Sequence, residues 1–233
     1  MKLFLVVLLT ALAHQNLFAT WSIILIDPKT KEIGIAGASC TYNCYGIGEI
    51  IPGKGAIIVQ AMSNNDARKK GLQLILSNAS PQEIISTLFD PFYDPNRQQY
   101  AVVTLDHLGN PATYTGDSTK LFRGALTGEG TSVQGNTLAN DSVLQRIFAA
   151  VENGQSHGLR IDQILMLALE AGSNAGGDRR CGEQKAMSAF ITIARSQDRK
   201  PYLTLTIFGQ AKGGQNAVTM LRRKYDKWIE RHL

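Results

Sequence analysis

The chain has 233 residues, 44% of them apolar and 18% charged, with 24 Lys+Arg against 19 Asp+Glu and a formal net charge of +5. These proportions exclude a disordered chain, and the length supports one domain whose core needs no metal or disulfide to hold it. The densest basic stretch, Arg222-Arg223-Lys224 with Lys227 and Arg231, alternates with apolar residues and reads as the solvated face of a last helix. Neither nucleic acid nor a membrane surface is therefore expected as a partner of the mature protein.

Met1-Lys2 is followed by an apolar run, Leu3 to Leu9, and then by small and polar residues as far as Ala19. One positive charge, a short apolar run and a small-residue exit are the pattern of a secretory signal peptide. The run is too short to span a bilayer, which takes about 20 residues. Ala11-Leu12-Ala13 fits the cleavage rule but leaves a signal below the usual length of about 15–30 residues. Cleavage after Ala19, following Leu17-Phe18, is preferred. Residues 20–233 are then one domain, secreted or periplasmic, that begins at Thr20.

Thr20 to Asp27 and Ile33 to Ser39 are β-rich runs separated by Pro28-Lys29-Thr30-Lys31-Glu32, which predicts a hairpin. Gly53-Lys54-Gly55 leads into a third strand, Ala56 to Met62. The period then turns helical: Ala67, Leu72, Leu74, Ile75 and Leu76 fit one helix, and Ser80-Pro81-Gln82-Glu83 opens a second with a capping residue, a first-turn proline and a glutamate at the third position. Strands are predicted at Tyr100–Asp106, Ala112–Thr115 and Ser132–Asn136, then helices near Asp141–Glu152 and Asp162–Ala171. A hairpin of Ala189–Ala194 with Leu203–Phe208 and a helix from Asn216 to Arg231 complete the chain. This order predicts an α+β fold: a four-layer αββα sandwich, two antiparallel sheets stacked with helices outside.

Most familiar catalytic motifs are absent: there is no P-loop, G-x-G-x-x-G or H-E-x-x-H, and no C-x-x-C or H-x-x-x-H for zinc. No metal and no cofactor are expected. His107, His157 and His232 fall in turn, loop and tail positions and read as solvated. Of Cys40, Cys44 and Cys181, one pair can be bridged in an oxidising compartment, leaving one thiol over; a Cys40–Cys44 bridge would need a turn at Thr41-Tyr42-Asn43. Asn78-Ala79-Ser80 and Asn140-Asp141-Ser142 are glycosylation sequons, relevant only in a eukaryotic secretory pathway.

Signal removal makes Thr20 the N-terminal residue. An N-terminal threonine carries nucleophile and base together, its Oγ1 activated by its own α-amine. That amine titrates near 7.7–8 and needs no burial to be substantially neutral.

Thr20-Trp21-Ser22-Ile23 with Asp27-Pro28, followed by Gly34-Ile35-Ala36-Gly37-Ala38-Ser39, resembles the start of the family called domain of unknown function 1028 (DUF1028). The resemblance continues through Gln60-Ala61 with Asn64, Arg68 with Gly71 and Leu72, Thr115-Gly116-Asp117, Val133-Gln134-Gly135-Asn136 and Ala175-Gly176-Gly177-Asp178-Arg179-Arg180. It implies membership of the N-terminal-nucleophile (Ntn) hydrolase superfamily and a four-layer sandwich like that of a proteasome subunit. Members of the family begin this motif with threonine directly after the initiator methionine; here a signal peptide delivers the same terminus.

By that resemblance, Lys54 is the nearest counterpart of the lysine that supports the nucleophile, and the backbone N–H around Ser63-Asn64 that of the oxyanion loop. Ala36-Gly37-Ala38 stands where proteasome-like relatives carry an aspartate, so their catalytic detail does not transfer whole. Asn136, beside Gln134 after a short strand, can donate its amide to an oxyanion. In the loop Gly176-Gly177-Asp178-Arg179-Arg180, an arginine fork suits a substrate carboxylate and Asp178 orients it or receives an ammonium; a structural Asp–Arg pair is the alternative. The cysteines receive no catalytic role, and Cys181 reads as a packing residue.

The function expected is an exported Ntn-type amidohydrolase acting on an amide or small peptide through an acyl-enzyme, with a homo-oligomer left open. Two rivals are a catalytically silent exported binding protein on the same scaffold and a thiol enzyme using Cys40 or Cys44.

Overall fold

The structure, a computed structural model, describes residues 20–232. The signal segment and its two cleavage points lie outside the described residues.

Among the described residues, ten strands form two antiparallel sheets. The six-stranded sheet has the order β10-β9-β2-β1-β8-β7 and the four-stranded sheet the order β3-β4-β5-β6. The first is built from β1 (Thr20–Ile26), β2 (Ile33–Ser39), β7 (Gly124–Gly128), β8 (Thr131–Asn136), β9 (Ser188–Ala194) and β10 (Leu203–Ile207). The second contains β3 (Gly48–Ile51), β4 (Gly55–Ala61), β5 (Gln98–Thr104) and β6 (Ala112–Thr115). The expected strands form within a residue or two of their predicted bounds, and two more, β3 and β7, are added. Both are short edge strands carrying glycine, Gly-Glu-Ile-Ile and Gly-Ala-Leu-Thr-Gly, too short for an apolar–polar alternation to show in sequence.

β1 and β2 are central, and every residue in them is buried. Their side chains alternate between two environments. Trp21, Ile23 and Leu25 join a cluster with Ile147, Leu165, Leu169 and Leu221, from helices α3 (Ser142–Ser156), α4 (Ile161–Asn174) and α5 (Ala217–His232). Ile24, Ile26, Ile33 and Ile35 instead meet Ala56, Ile58, Ala101 and Val103 of β4 and β5. The remaining faces of β4 and β5, with Ile57, Val59, Tyr100 and Val102, pack on Ile75 and Ile84 of α1 (Asn65–Leu76) and α2 (Pro81–Thr87).

Local chemistry starts both helices of the smaller sheet. Asn64 caps α1, its side chain accepting from the N–H groups of Asp66 and Ala67. Ser80 and Glu83 form the expected reciprocal capping box on α2, with Pro81 in its first turn. Gly71 is where α1 meets the sheet, because a Cβ built there would overlap Ile57 Cδ1. That close approach seats the first turn of α1, and with it Arg68, at one end of the layer between the sheets.

The basic stretch of α5 is tied to its surroundings. Arg222 makes hydrogen-bonded ion pairs with Glu170, and Lys224 Nζ donates to the Thr206 carbonyl at 3.2 Å. Among the described residues no helix is long and apolar enough to cross a membrane.

Candidate active site

The layer between the sheets changes character along its length. At the Ile26 end it is aliphatic; at the Thr20 end it is polar. Strand register places Asn136, Thr20, Ser39 and Ser188 side by side across β8, β1, β2 and β9, and all four are buried. Below them Gln134 pairs with Ser22, and Gln60 of β4 and Gln99 of β5 reach in from the opposite sheet.

These groups form a continuous hydrogen-bond chain. Ser132 Oγ donates to Gln134 Oε1 at 2.6 Å, and Gln134 Nε2 donates to Ser22 Oγ at 2.7 Å. Ser22 Oγ donates to Gln60 Oε1 at 2.7 Å, and Gln60 Nε2 donates to Gln99 Oε1 at 2.7 Å and to the Thr20 carbonyl at 3.4 Å. Asn136 Nδ2 closes on Gln99 Oε1 at 3.2 Å, and Gln99 Nε2 donates to Thr115 Oγ1 and to the carbonyls of Gly124 and Gly135. Buried amides and hydroxyls are costly unless each finds partners, and a satisfied network fixes their geometry. Thr20 is held by that network at one end of the inter-sheet layer.

Thr20 also lines a cavity of about 290 Å³, together with Gln60, Ala61, Ser63, Cys44 and Arg68. The segment leaving β4 forms one wall under backbone strain: Ala61 has φ 71° and Ser63 φ 45°, a left-handed region costly for residues with a Cβ. Such strain persists only where surrounding structure imposes it, and it gathers at functional sites.

Of the residues singled out from sequence, the structure brings Asn136 next to Thr20. Gln134 belongs to the buried network, spent on Ser22 and Ser132 rather than facing the cavity. Asn64 is committed: its side chain caps α1 and donates to the Tyr93 carbonyl, and its N–H donates to Gln98 Oε1 at 3.2 Å. The Met62 N–H donates to the Arg97 carbonyl, so of the three loop amides Ser63, on the cavity wall, lies between two that are engaged.

Lys54 is a correction. It sits in the turn before β4, whereas Gln60, beside Thr20, is near that strand's end; at about 3.3 Å per residue the two are roughly 20 Å apart. Its Nζ donates to Asn78 Oδ1 at 2.6 Å. The position looked apt because the turn precedes the correct strand, but the strand carries its chain away from the site.

The Gly176–Arg180 loop resolves toward the structural alternative. Gly176 and Gly177 have φ 119° and 59°, a turn that glycine permits, and they deliver Asp178 into full burial. Asp178 Oδ1 accepts from the Arg180 N–H and Nε, and Oδ2 accepts from Arg180 Nη2 at 2.7 Å and from the Cys40 N–H at 2.7 Å. The Arg180 fork is thus engaged by the protein's own carboxylate, and Arg179 is exposed with its N–H on the Thr137 carbonyl. Neither arginine is among the residues lining the cavity.

Cys181, read from sequence as a packing residue, is disulfide-bonded to Cys40. The free thiol is Cys44, buried on the cavity wall, and burial pushes its pKa up to about 12. A thiol in that state is not a nucleophile at neutral pH, and Cys40 has no thiol, so the geometry weighs against a thiol enzyme. His107, His157 and His232 do not line the cavity, and the described residues contain no cluster of metal-ligating side chains.

Sequence reading gave no role to Ser39, Ser188, Gln60, Gln99 or Arg68. A signal existed in the strand parity, since Thr20, Ser22 and Ser132, Gln134, Asn136 put polar groups on the same face that carries Ile24 and Ile26. For the cavity contributions of Ala61, Ser63 and Arg68 there was no local signal.

The family model described as "Family of unknown function (DUF1028)" matches residues 20–212. The crystal structure of protein SPO2555 from Silicibacter pomeroyi, assigned to the same family model, is similar to this chain at 26% identity and a TM-score of 0.74. The alignment covers 90% of this chain and 88% of that one. No curated protein matches.

Proposed function

The chain belongs to DUF1028, a family of unknown function, and from the geometry around Thr20 we propose that it is an exported amidohydrolase of the N-terminal-nucleophile type, its domain a four-layer αββα sandwich and its nucleophile Thr20. The observation that carries this reading is the position of Thr20: first residue of a central strand, in the polar row of the inter-sheet layer, and on the wall of the cavity. Export rests on the character of residues 1–19, whose removal after Ala19 creates the free α-amine.

Thr20 Oγ1 attacks the amide carbonyl while the α-amine takes its proton. The tetrahedral oxyanion is met by the Ser63 N–H and by Asn136 Nδ2, an amide with two hydrogens of which one is given to Gln99. The ammonium returns the proton to the leaving amine as the C–N bond breaks, which leaves an acyl ester on Thr20. Water, activated by the same amine, hydrolyses the ester and restores Thr20. Small-molecule or peptide amides are the substrate class, and no metal or cofactor enters these steps. The Gln60 contact to the Thr20 carbonyl holds the nucleophilic residue in place without touching the reacting bond.

The remoteness of Lys54 favours a second reading, a catalytically silent exported binding protein. One experiment separates them. Protein recovered after export is sequenced from its N-terminus and treated with a hydroxyl-directed acylating probe such as a β-lactone. A start at Thr20, with an adduct on that residue that Thr20→Ala abolishes, is expected. A start at His14, or a folded protein beginning at Thr20 that takes no adduct, overturns the hydrolase and leaves the binding protein.

A further inference from the structure

The cavity that holds Thr20 also holds a charge that the protein does not neutralise. Arg68 lies on the first turns of α1, and Nη2 donates to Asn65 Oδ1 at 2.8 Å. Nη1 is shielded from solvent and has no hydrogen-bond partner. Three other arginines with part of their side chain shielded are matched to carboxylates: Arg160 to Asp162, Arg180 to Asp178 and Arg222 to Glu170. Arg68 has no such ion pair, and no Asp or Glu is among the residues lining the cavity.

A buried donor on a cationic group is costly when left unmade, and an uncompensated charge costs more. Asn65 restrains the guanidinium through Nη2 and leaves Nη1 without a partner beside the cavity. The one charged side chain lining the cavity is therefore positive, planar and incompletely bonded, a setting that suits a carboxylate, which the guanidinium fork matches in shape. The cavity volume of about 290 Å³ corresponds to roughly ten waters at about 30 Å³ each, room for a small ligand.

Building on the amidohydrolase reading, we propose that Arg68 receives the free carboxylate of the ligand, so that the site takes N-acylated amino acids or short peptides ending in a carboxylate, with the scissile amide presented to Thr20. Arg68 is on this account a binding residue that sets substrate class. It takes the role that the sequence suggested for Arg179 and Arg180.

The test is a binding measurement, independent of turnover. Exported protein carrying Thr20→Ala is titrated calorimetrically with a panel of N-acetyl-L-amino acids, each compared with its own carboxamide, and with inorganic phosphate. At least one acid is expected to bind about tenfold to a hundredfold more tightly than its carboxamide, the range of one charge-assisted contact. Arg68→Gln is expected to erase that preference, and Arg68→Lys to keep part of it. Thermal melts establish that the variants are folded; if Arg68→Gln is not, Arg68→Lys and the acid–amide comparison carry the test. Failure of every acid to bind, equal binding of acids and carboxamides, a preference unchanged in a folded Arg68 variant, or phosphate binding in place of the acids overturns the proposal. Thr20 labelling without acid preference defeats this inference alone, whereas acid preference without Thr20 labelling defeats the hydrolase reading alone.

Discussion

The backbone N–H of Cys40 donates to Asp178 Oδ2 at 2.7 Å, across 138 residues of chain. Cys40 directly follows Ser39, the register partner of Thr20, and Asp178 also holds Arg180, next to the half-cystine Cys181. One carboxylate and one disulfide thus fix the end of β2 on which the Thr20 row depends. Asp178 is fully buried, so removing it takes three hydrogen bonds from Arg180 and one from the Cys40 backbone donor. Asp178→Ala is expected to destabilise the fold by about 3–5 kcal/mol, and Asp178→Asn by less because the amide oxygen still accepts. Urea unfolding measures both; a loss below about 1 kcal/mol for the alanine variant would show that the carboxylate is not the anchor described.

Lys54 gives the opposite expectation. Its hydrogen bond to Asn78 is a surface contact at the far turn of β4. Lys54→Met should change stability by no more than about 1 kcal/mol and leave Thr20 acylation at its original rate. A large fall in acylation, with the melting temperature unchanged, would return Lys54 to the mechanism.

The two residues show how far sequence reading reached. Strand periodicity and caps placed most elements, because hydrophobic alternation in β1, β2 and β4 and the Ser80 box act over a few residues. The mixed α and β class with antiparallel sheets was readable for that reason, whereas Asn136 was singled out within a family motif and its place beside Thr20 comes from the strand register. Lys54 was misplaced because motif order along the chain does not report which end of a strand meets the site. Cys181 and Arg68 were missed for a related reason: each acquires its meaning from a partner, or the lack of one, that only tertiary packing defines. Gln60 stood among the recognised motifs, yet its contact with Thr20 joins strands of different sheets.

Gln60 itself is expected to be sensitive in two ways. Gln60→Leu keeps the volume but removes the amide that links Ser22, Gln99 and the Thr20 carbonyl. Leaving those groups unpaired should cost about 1–3 kcal/mol each, partly recovered if water enters from the cavity. Acylation of Thr20 should slow more than the melting temperature alone explains, since the nucleophile loses a positioning contact. Equal acylation rates for wild type and a folded Gln60→Leu variant would show that Gln60 supports the fold only.

Cys44 offers a measurement in which pH isolates one group. Burial raises its thiol from 9.0 to about 12, so between those values the folded chain keeps a proton that the unfolded chain releases. The unfolded state then binds fewer protons, and stability must fall as pH rises. The contribution is complete below about pH 9 and is lost progressively toward 12, with a limiting slope near 1.4 kcal/mol per pH unit. Burial also raises Tyr100, Tyr202 and Tyr225, which add their own losses at the alkaline end. Comparison with Cys44→Ala cancels those shared terms, so the difference in unfolding free energy between the two proteins should shrink from pH 8.5 to pH 11. The same burial predicts that iodoacetamide at pH 8 leaves folded protein unmodified and Thr20 acylation intact. Rapid alkylation of Cys44 in the folded state, with loss of acylation that Cys44→Ala reproduces, would instead restore the thiol enzyme.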